Sequence, residues 1–154
     1  MIYILHGSFI AVLIIIAVRD MKTMEIPNRY VVALGVLALG ATILNLNNMP
    51  LWHRLLGMIC VSLPLLIIAV LIPNAFGGGD IKLMAAAGLY LGFRLTLLSF
   101  FLAVLVGGVY GLTLLISKKK TKKEHFAFGP FLCGGCIIAL LLGERILAWY
   151  FGQF

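Results

Sequence analysis

The chain is 154 residues long, 63% apolar and 11% charged, with a formal net charge of +7 and a mean hydropathy of +1.15. A water-soluble domain of this length needs far more polar surface, so the composition excludes a soluble enzyme and implies a polytopic membrane protein. The positive charge lies in short stretches between apolar runs, which reads as membrane topology and not as a nucleic-acid surface.

The expected architecture is all-α: one membrane-embedded domain over residues 1–154, with about six transmembrane helices. The first apolar run, residues 2–18, ends at Arg19-Asp20. It has no basic leader and no small-residue cleavage site, so it is expected to be retained. A polar stretch follows, in which Pro27 disfavours helix at Ile26 and stops the first helix at or before that point. The second run covers residues 30–44 and gives way to a turn-rich segment, 45–50. The third, 55–72, carries Pro64 as a predicted kink. The fourth, 81–93, is short for a full span. In the fifth, 95–116, Gly107, Gly108 and Gly111 offer a close-packing face. A lysine-rich loop, 118–125, precedes the sixth run, 126–151, where Pro130 suits a first helical turn.

Charges between the runs set an orientation. Six spans put Arg19, Lys22, Arg29, Lys82 and the five lysines from Lys118 to Lys123 on one side, against Arg54, Arg94 and Arg145 on the other. The positive-inside rule then places the first side in the cytoplasm and both termini outside, in a plasma or inner membrane. The chain's only two aspartates, Asp20 and Asp80, fall on that same cytoplasmic side.

Asp80 follows three glycines in Gly77-Gly78-Gly79-Asp80. Glycines let another backbone approach closely, and a carboxylate at the edge of a membrane segment is a functional candidate. Taken alone, Asp80 reads equally as a helix N-cap and Asp20 as a solvated flank beside Arg19. Taken together, they can form a dyad. Two carboxylates that share a site cannot both ionise easily, so they share a proton. Such a pair suits aspartyl proteolysis, in which the carboxylate takes a proton from water and the acid polarises the scissile carbonyl. That chemistry needs no metal and no organic cofactor. Asp80 opens a helix and Asp20 closes one, so the helix dipoles nominate Asp80 as the base and Asp20 as the protonated partner.

Three stretches carry a family resemblance. Asp20 with Ile26-Pro27-Asn28, then Gly77-Gly78-Gly79-Asp80-Ile81-Lys82-Leu83 and its helix, then Phe128-Gly129-Pro130-Phe131-Leu132 resemble the type IV prepilin peptidases. These are GxGD-type intramembrane aspartyl proteases. The resemblance implies removal, on the cytoplasmic side, of a short basic leader from prepilin or pseudopilin precursors, with Asp20 and Asp80 as the catalytic pair. Bifunctional members of that family add a cytoplasmic domain with paired Cys-x-x-Cys zinc motifs and N-methylate the new terminus. Here the stretch after Asp20 is short and without cysteine. The chain is therefore most similar to the compact, peptidase-only branch of tight-adherence pilus systems, without a separate zinc or methyltransferase domain.

Around the aspartates, Lys22, Asn28, Lys82 and the three glycines are candidates for shaping the site or contacting substrate. Each has a plainer role: Lys22 and Lys82 as orientation charges, Asn28 as a turn residue. Glu25 also flanks the pair. Cys133-Gly134-Gly135-Cys136 reads as small residues for helix packing and not as a zinc site, since no second cysteine pair exists. His6 and His53 are expected at the outer side, His53 in a loop, and His125 at the end of the lysine loop, which is suited to anionic lipid headgroups. Glu144 pairs with Arg145 or is solvated. Ile72-Pro73-Asn74 echoes Ile26-Pro27-Asn28, which a shared boundary turn explains as well as an inverted repeat does. The expected partners are the precursor substrate and membrane lipid, with no nucleic acid. The rival reading is a proton-coupled transporter with Asp20 and Asp80 as its protonation sites, which would favour carboxylates near mid-membrane.

Overall fold

A computed structural model describes residues 2–45, 48–72, 76–116 and 127–152. Within them lie α1 (Ile2–Thr23), α2 (Asn28–Ile43), α3 (Leu51–Leu71), α4 (Gly78–Leu91), α5 (Phe93–Ile116) and α6 (Gly129–Phe151), with no strand among the described residues. The five lysines, His125 and Pro73-Asn74 of the echoed tripeptide lie outside the described residues.

Proline and glycine punctuate the chain. Pro27 and Pro50 each occupy the N-cap in extended conformation, and Gly77 does so for α4. A proline φ is already fixed near the value these positions need. Pro130 sits in the first turn of α6, where its missing N–H costs nothing. Pro64 lies inside α3, which continues through it.

α1, α3, α5 and α6 are long and apolar enough to cross a membrane. Their outward faces carry large apolar side chains such as Tyr3, Val70 and Trp149, a surface that suits lipid and not water. The protein is a multi-pass membrane protein. At 14 residues, α4 rises about 21 Å, short of a hydrocarbon core of about 30 Å. It is the central element, packed against α2, α3, α5 and α6. A helix enclosed in this way is apolar on every face, and Leu83, Met84, Ala87, Gly88 and Leu91 are all buried. The α3–α4 crossing is glycine on glycine: a Cβ on Gly57 or Gly88 would run into the other's backbone.

Several boundaries differ from expectation. α1 runs through Asp20 to Thr23, so the aspartate belongs to the helix's last turn. α3 starts at Leu51, four residues earlier than expected, which makes His53 helical and not part of a loop. Arg54 is no loop charge either. It is 1% exposed and donates to the carbonyls of Leu89 and Tyr90 at 3.4 and 3.3 Å, in the last turn of α4. A cation is favoured there because those carbonyls have no helical partner and carry the negative end of the dipole. Phe93 belongs to α5, since Gly92, at φ 77°, ends α4. Of Gly107 and Gly108, only Gly107 packs closely, against Phe128 and Phe131. In α6, Cys133 and Cys136 are fully buried and Gly135 backs onto the Ser99 carbonyl, so this stretch packs α6 on α5.

Candidate active site

Asp20 in the last turn of α1 and Asp80 in the first turn of α4 open into one cavity. They are 5% and 8% exposed and lie within electrostatic reach of each other. The cavity holds about 290 Å³ and is lined by Asp20, Met24, Glu25, Ile26, Gly77, Gly78, Gly79 and Asp80. That is room for several waters at about 30 Å³ each.

The chain between α1 and α2 is only four residues, Met24 to Pro27, and its conformation builds one wall. Met24 adopts a left-handed φ of 53°, which costs an L-residue of order 1–2 kcal/mol. The Met24 N–H still donates to the Asp20 carbonyl at 2.8 Å. The Thr23 hydroxyl donates to the carbonyls of Arg19 and Glu25, at 3.0 and 3.3 Å. The turn brings Ile26 onto Gly79, where an added Cβ would lie 2.7 Å from the Ile26 Cβ. The room left by Gly79 is therefore filled by the chain's own isoleucine. Two residues further on, Asn28 Oδ1 accepts a hydrogen bond from Lys82 Nζ at 3.1 Å. The Ile-Pro-Asn stretch thus meets the glycine–aspartate stretch at two points.

The third stretch closes the site. The Gly129 N–H, at the first residue of α6, donates to Asp20 Oδ2 at 3.1 Å. Phe128 beside it meets Phe76 edge to face, with ring centroids 5.9 Å apart. Cys133, one turn further along α6, feels both carboxylates.

This geometry corrects the helix-end argument. Asp20 does close α1, but its carboxylate rests on the N-terminus of α6, so both aspartates occupy the positive end of a helix. The dipoles alone no longer nominate Asp80 as the base. Of the sequence-derived candidates, Asp20, Asp80 and Gly77 to Gly79 line the cavity. Asn28 and Lys82 pair beside it. Lys22 is exposed in the last turn of α1 and does not line it. Sequence reasoning missed Gly129, Ile26 and Cys133 as neighbours of the pair. The available signal for Gly129 was its place before Pro130, where a helix N-terminus leaves amides unpaired. Among the described residues, no three histidines, cysteines or carboxylates gather as a metal site.

Residues 7–112 match the type IV leader peptidase family, a span that holds both aspartates and more than half of the chain. The chain belongs to that family. A relative from Bacillus subtilis (strain 168), named prepilin leader peptidase/N-methyltransferase, is 38% identical over 144 residues, which is 92% of this chain and 57% of the relative. Proteins of the same name from Stutzerimonas stutzeri and Legionella pneumophila are 33% and 37% identical over 101 and 76 residues. These matches cover 65% and 49% of this chain, and 35% and 26% of the relatives. The chain thus spans just over half the length of the Bacillus relative and less of the other two. No solved structure matches. Membership of a peptidase family leaves the transporter reading without support, as does the position of both carboxylates in terminal turns of their helices.

Proposed function

We propose that this protein is a membrane aspartyl endopeptidase that removes a short basic leader from prepilin or pseudopilin precursors at the cytoplasmic face. Asp20 and Asp80 are its catalytic pair. The observation that carries this reading is the convergence of the chain's only two aspartates, sixty positions apart in sequence, on one cavity. The family supplies the substrate class: the matched relatives are named for prepilin leader cleavage.

The chemistry follows from two carboxyl groups that share one proton. A water in the cavity gives a proton to the ionised carboxylate as its oxygen bonds to the scissile carbonyl carbon. The second carboxyl gives its proton to the carbonyl oxygen, leaving a neutral gem-diol. On collapse the C–N bond breaks, the leaving nitrogen takes the proton held by the first carboxylate, and a diol hydroxyl returns one to the second. The pair ends as it began. Glu25 gives the cavity a third acidic group, and no cation lines it among the described residues. The Lys82–Asn28 bond ties α4 to the start of α2 and holds the rim in shape. Exposed Lys22 is left to meet substrate at the edge. The reading is of peptide cleavage alone; the four residues between α1 and α2 include no cysteine.

Co-expression with a prepilin tests the proposal. Asp20→Asn and Asp80→Asn should each lower leader removal by roughly a thousandfold or more, as loss of one member of a catalytic unit does. Cleavage that continues in both variants would remove the aspartyl reading.

A further inference from the structure

We infer that the Gly129 amide at the start of α6 is a positioning group that keeps Asp20 ionised, so that Asp20 is the base of the pair and Asp80 carries the proton. Three observations converge. The Gly129 N–H donates to Asp20 Oδ2 at 3.1 Å in a buried setting, and a buried donor aimed at a carboxylate favours its charged form. No cation lines the cavity among the described residues. The groups facing Asp20 are Asp80 from α4, Glu25 from the α1–α2 connection and Cys133 from α6, so the amide is the one donor seen to compensate its charge. Asp80, by contrast, sits on the helix packed on four sides. The Gly77 amide points at its carboxyl, but burial and the neighbouring Asp20 carboxylate outweigh that donor. Enclosure beside a like charge favours the neutral acid.

Glycine at 129 follows from the same contact. A Cβ there would lie 2.5 Å from Asp20 Oδ2 and 2.9 Å from its Cγ, with Ile26 Cδ1 at 3.2 Å. The backbone is otherwise ordinary, since this glycine has no positive φ, and alanine propagates a helix better than glycine does. Gly129→Ala therefore acts on Asp20 and not on α6. The neighbouring Gly134, with nothing within 4 Å of an added Cβ, is the control.

A hydrophobic carbodiimide adds to a carboxyl that holds a proton, and peptide mapping by mass spectrometry locates the adduct. In the wild-type protein the adduct should fall on Asp80. In Gly129→Ala it should appear on Asp20 as well, and the kcat for leader cleavage should fall roughly tenfold or more with KM unchanged, the size of one hydrogen bond to a charged group. Gly134→Ala should match wild type in both readouts. An adduct on Asp20 in the wild type overturns the inference, a result that needs no variant to fold. So does a Gly129→Ala protein that melts normally and keeps both the wild-type labelling pattern and kcat. The kinetic half rests on the peptidase reading and the labelling half does not. Cleavage that survives loss of both aspartates therefore removes that reading alone, while the adduct still reports where the proton sits.

Discussion

Gly92 holds φ 77° and ψ 172° at the end of α4, a region open essentially to glycine alone. A Cβ there would also strike Met49 Sδ and lie 2.9 Å from His53 Nδ1. Gly92→Ala should lower stability by about 2–3 kcal/mol, the cost of a strained backbone together with the clash. Denaturation of the purified protein in detergent micelles measures this, and an unchanged midpoint would contradict it. Single residues also mark where sequence reading stops. The two aspartates were legible because they are the only two and because loop charges put them on one side. Arg54 was misread as one of those charges, since nothing local announces that its guanidinium turns inward to the carbonyls of Leu89 and Tyr90, 35 and 36 positions away. The Gly129 contact with Asp20 spans 109 positions, and it contributes a backbone amide, which no residue type encodes.

At the scale of elements, α4 decides where Asp80 sits, and glycines decide where α4 sits. The chain has 17 glycines that look alike in sequence, yet their surroundings differ. Gly88 abuts the Gly57 carbonyl across the α3–α4 crossing, whereas Gly35 in α2 has nothing within 4 Å of an added Cβ. The same substitution should therefore change sign. Gly88→Ala forces two helices apart and should cost about 1–3 kcal/mol, and it should lower cleavage because Asp80 moves with its helix. Gly35→Ala should gain about 0.5–1 kcal/mol from helix propensity and leave cleavage intact. Parallel melts and cleavage assays check both, and equal effects at the two sites would show that the crossing is not tight. Helix existence was legible from apolar runs and prolines. Helix starts were less so, because Trp52, His53 and Arg54 resemble a loop until α4's carbonyls supply a partner for the arginine.

For the whole molecule, the fold gives two unlike ends. At one, Asp20, Asp80, Glu25 and the Lys82–Asn28 pair surround the cavity. At the other, Arg54 caps α4 and the His6 ring nitrogen meets the Tyr90 hydroxyl at 2.6 Å. With Arg54 buried, the outer side of the sequence tally keeps only Arg94 and Arg145. Under the positive-inside rule, a cytoplasmic cavity is part of the proposed function, and a buried Arg54 no longer counts against it. Cysteine accessibility tests it without altering any charge. Thr23→Cys reports the cavity end and Trp52→Cys the opposite end, both at exposed positions. In a background with Cys60 replaced by serine, a membrane-impermeant maleimide should label Trp52→Cys in intact spheroplasts and Thr23→Cys only after permeabilisation. The native Cys133 and Cys136 are buried and should stay silent. The reverse pattern would put the aspartates outside, where a leader still attached to an untranslocated precursor could not reach them, and the proposed cytoplasmic cleavage would fall with it.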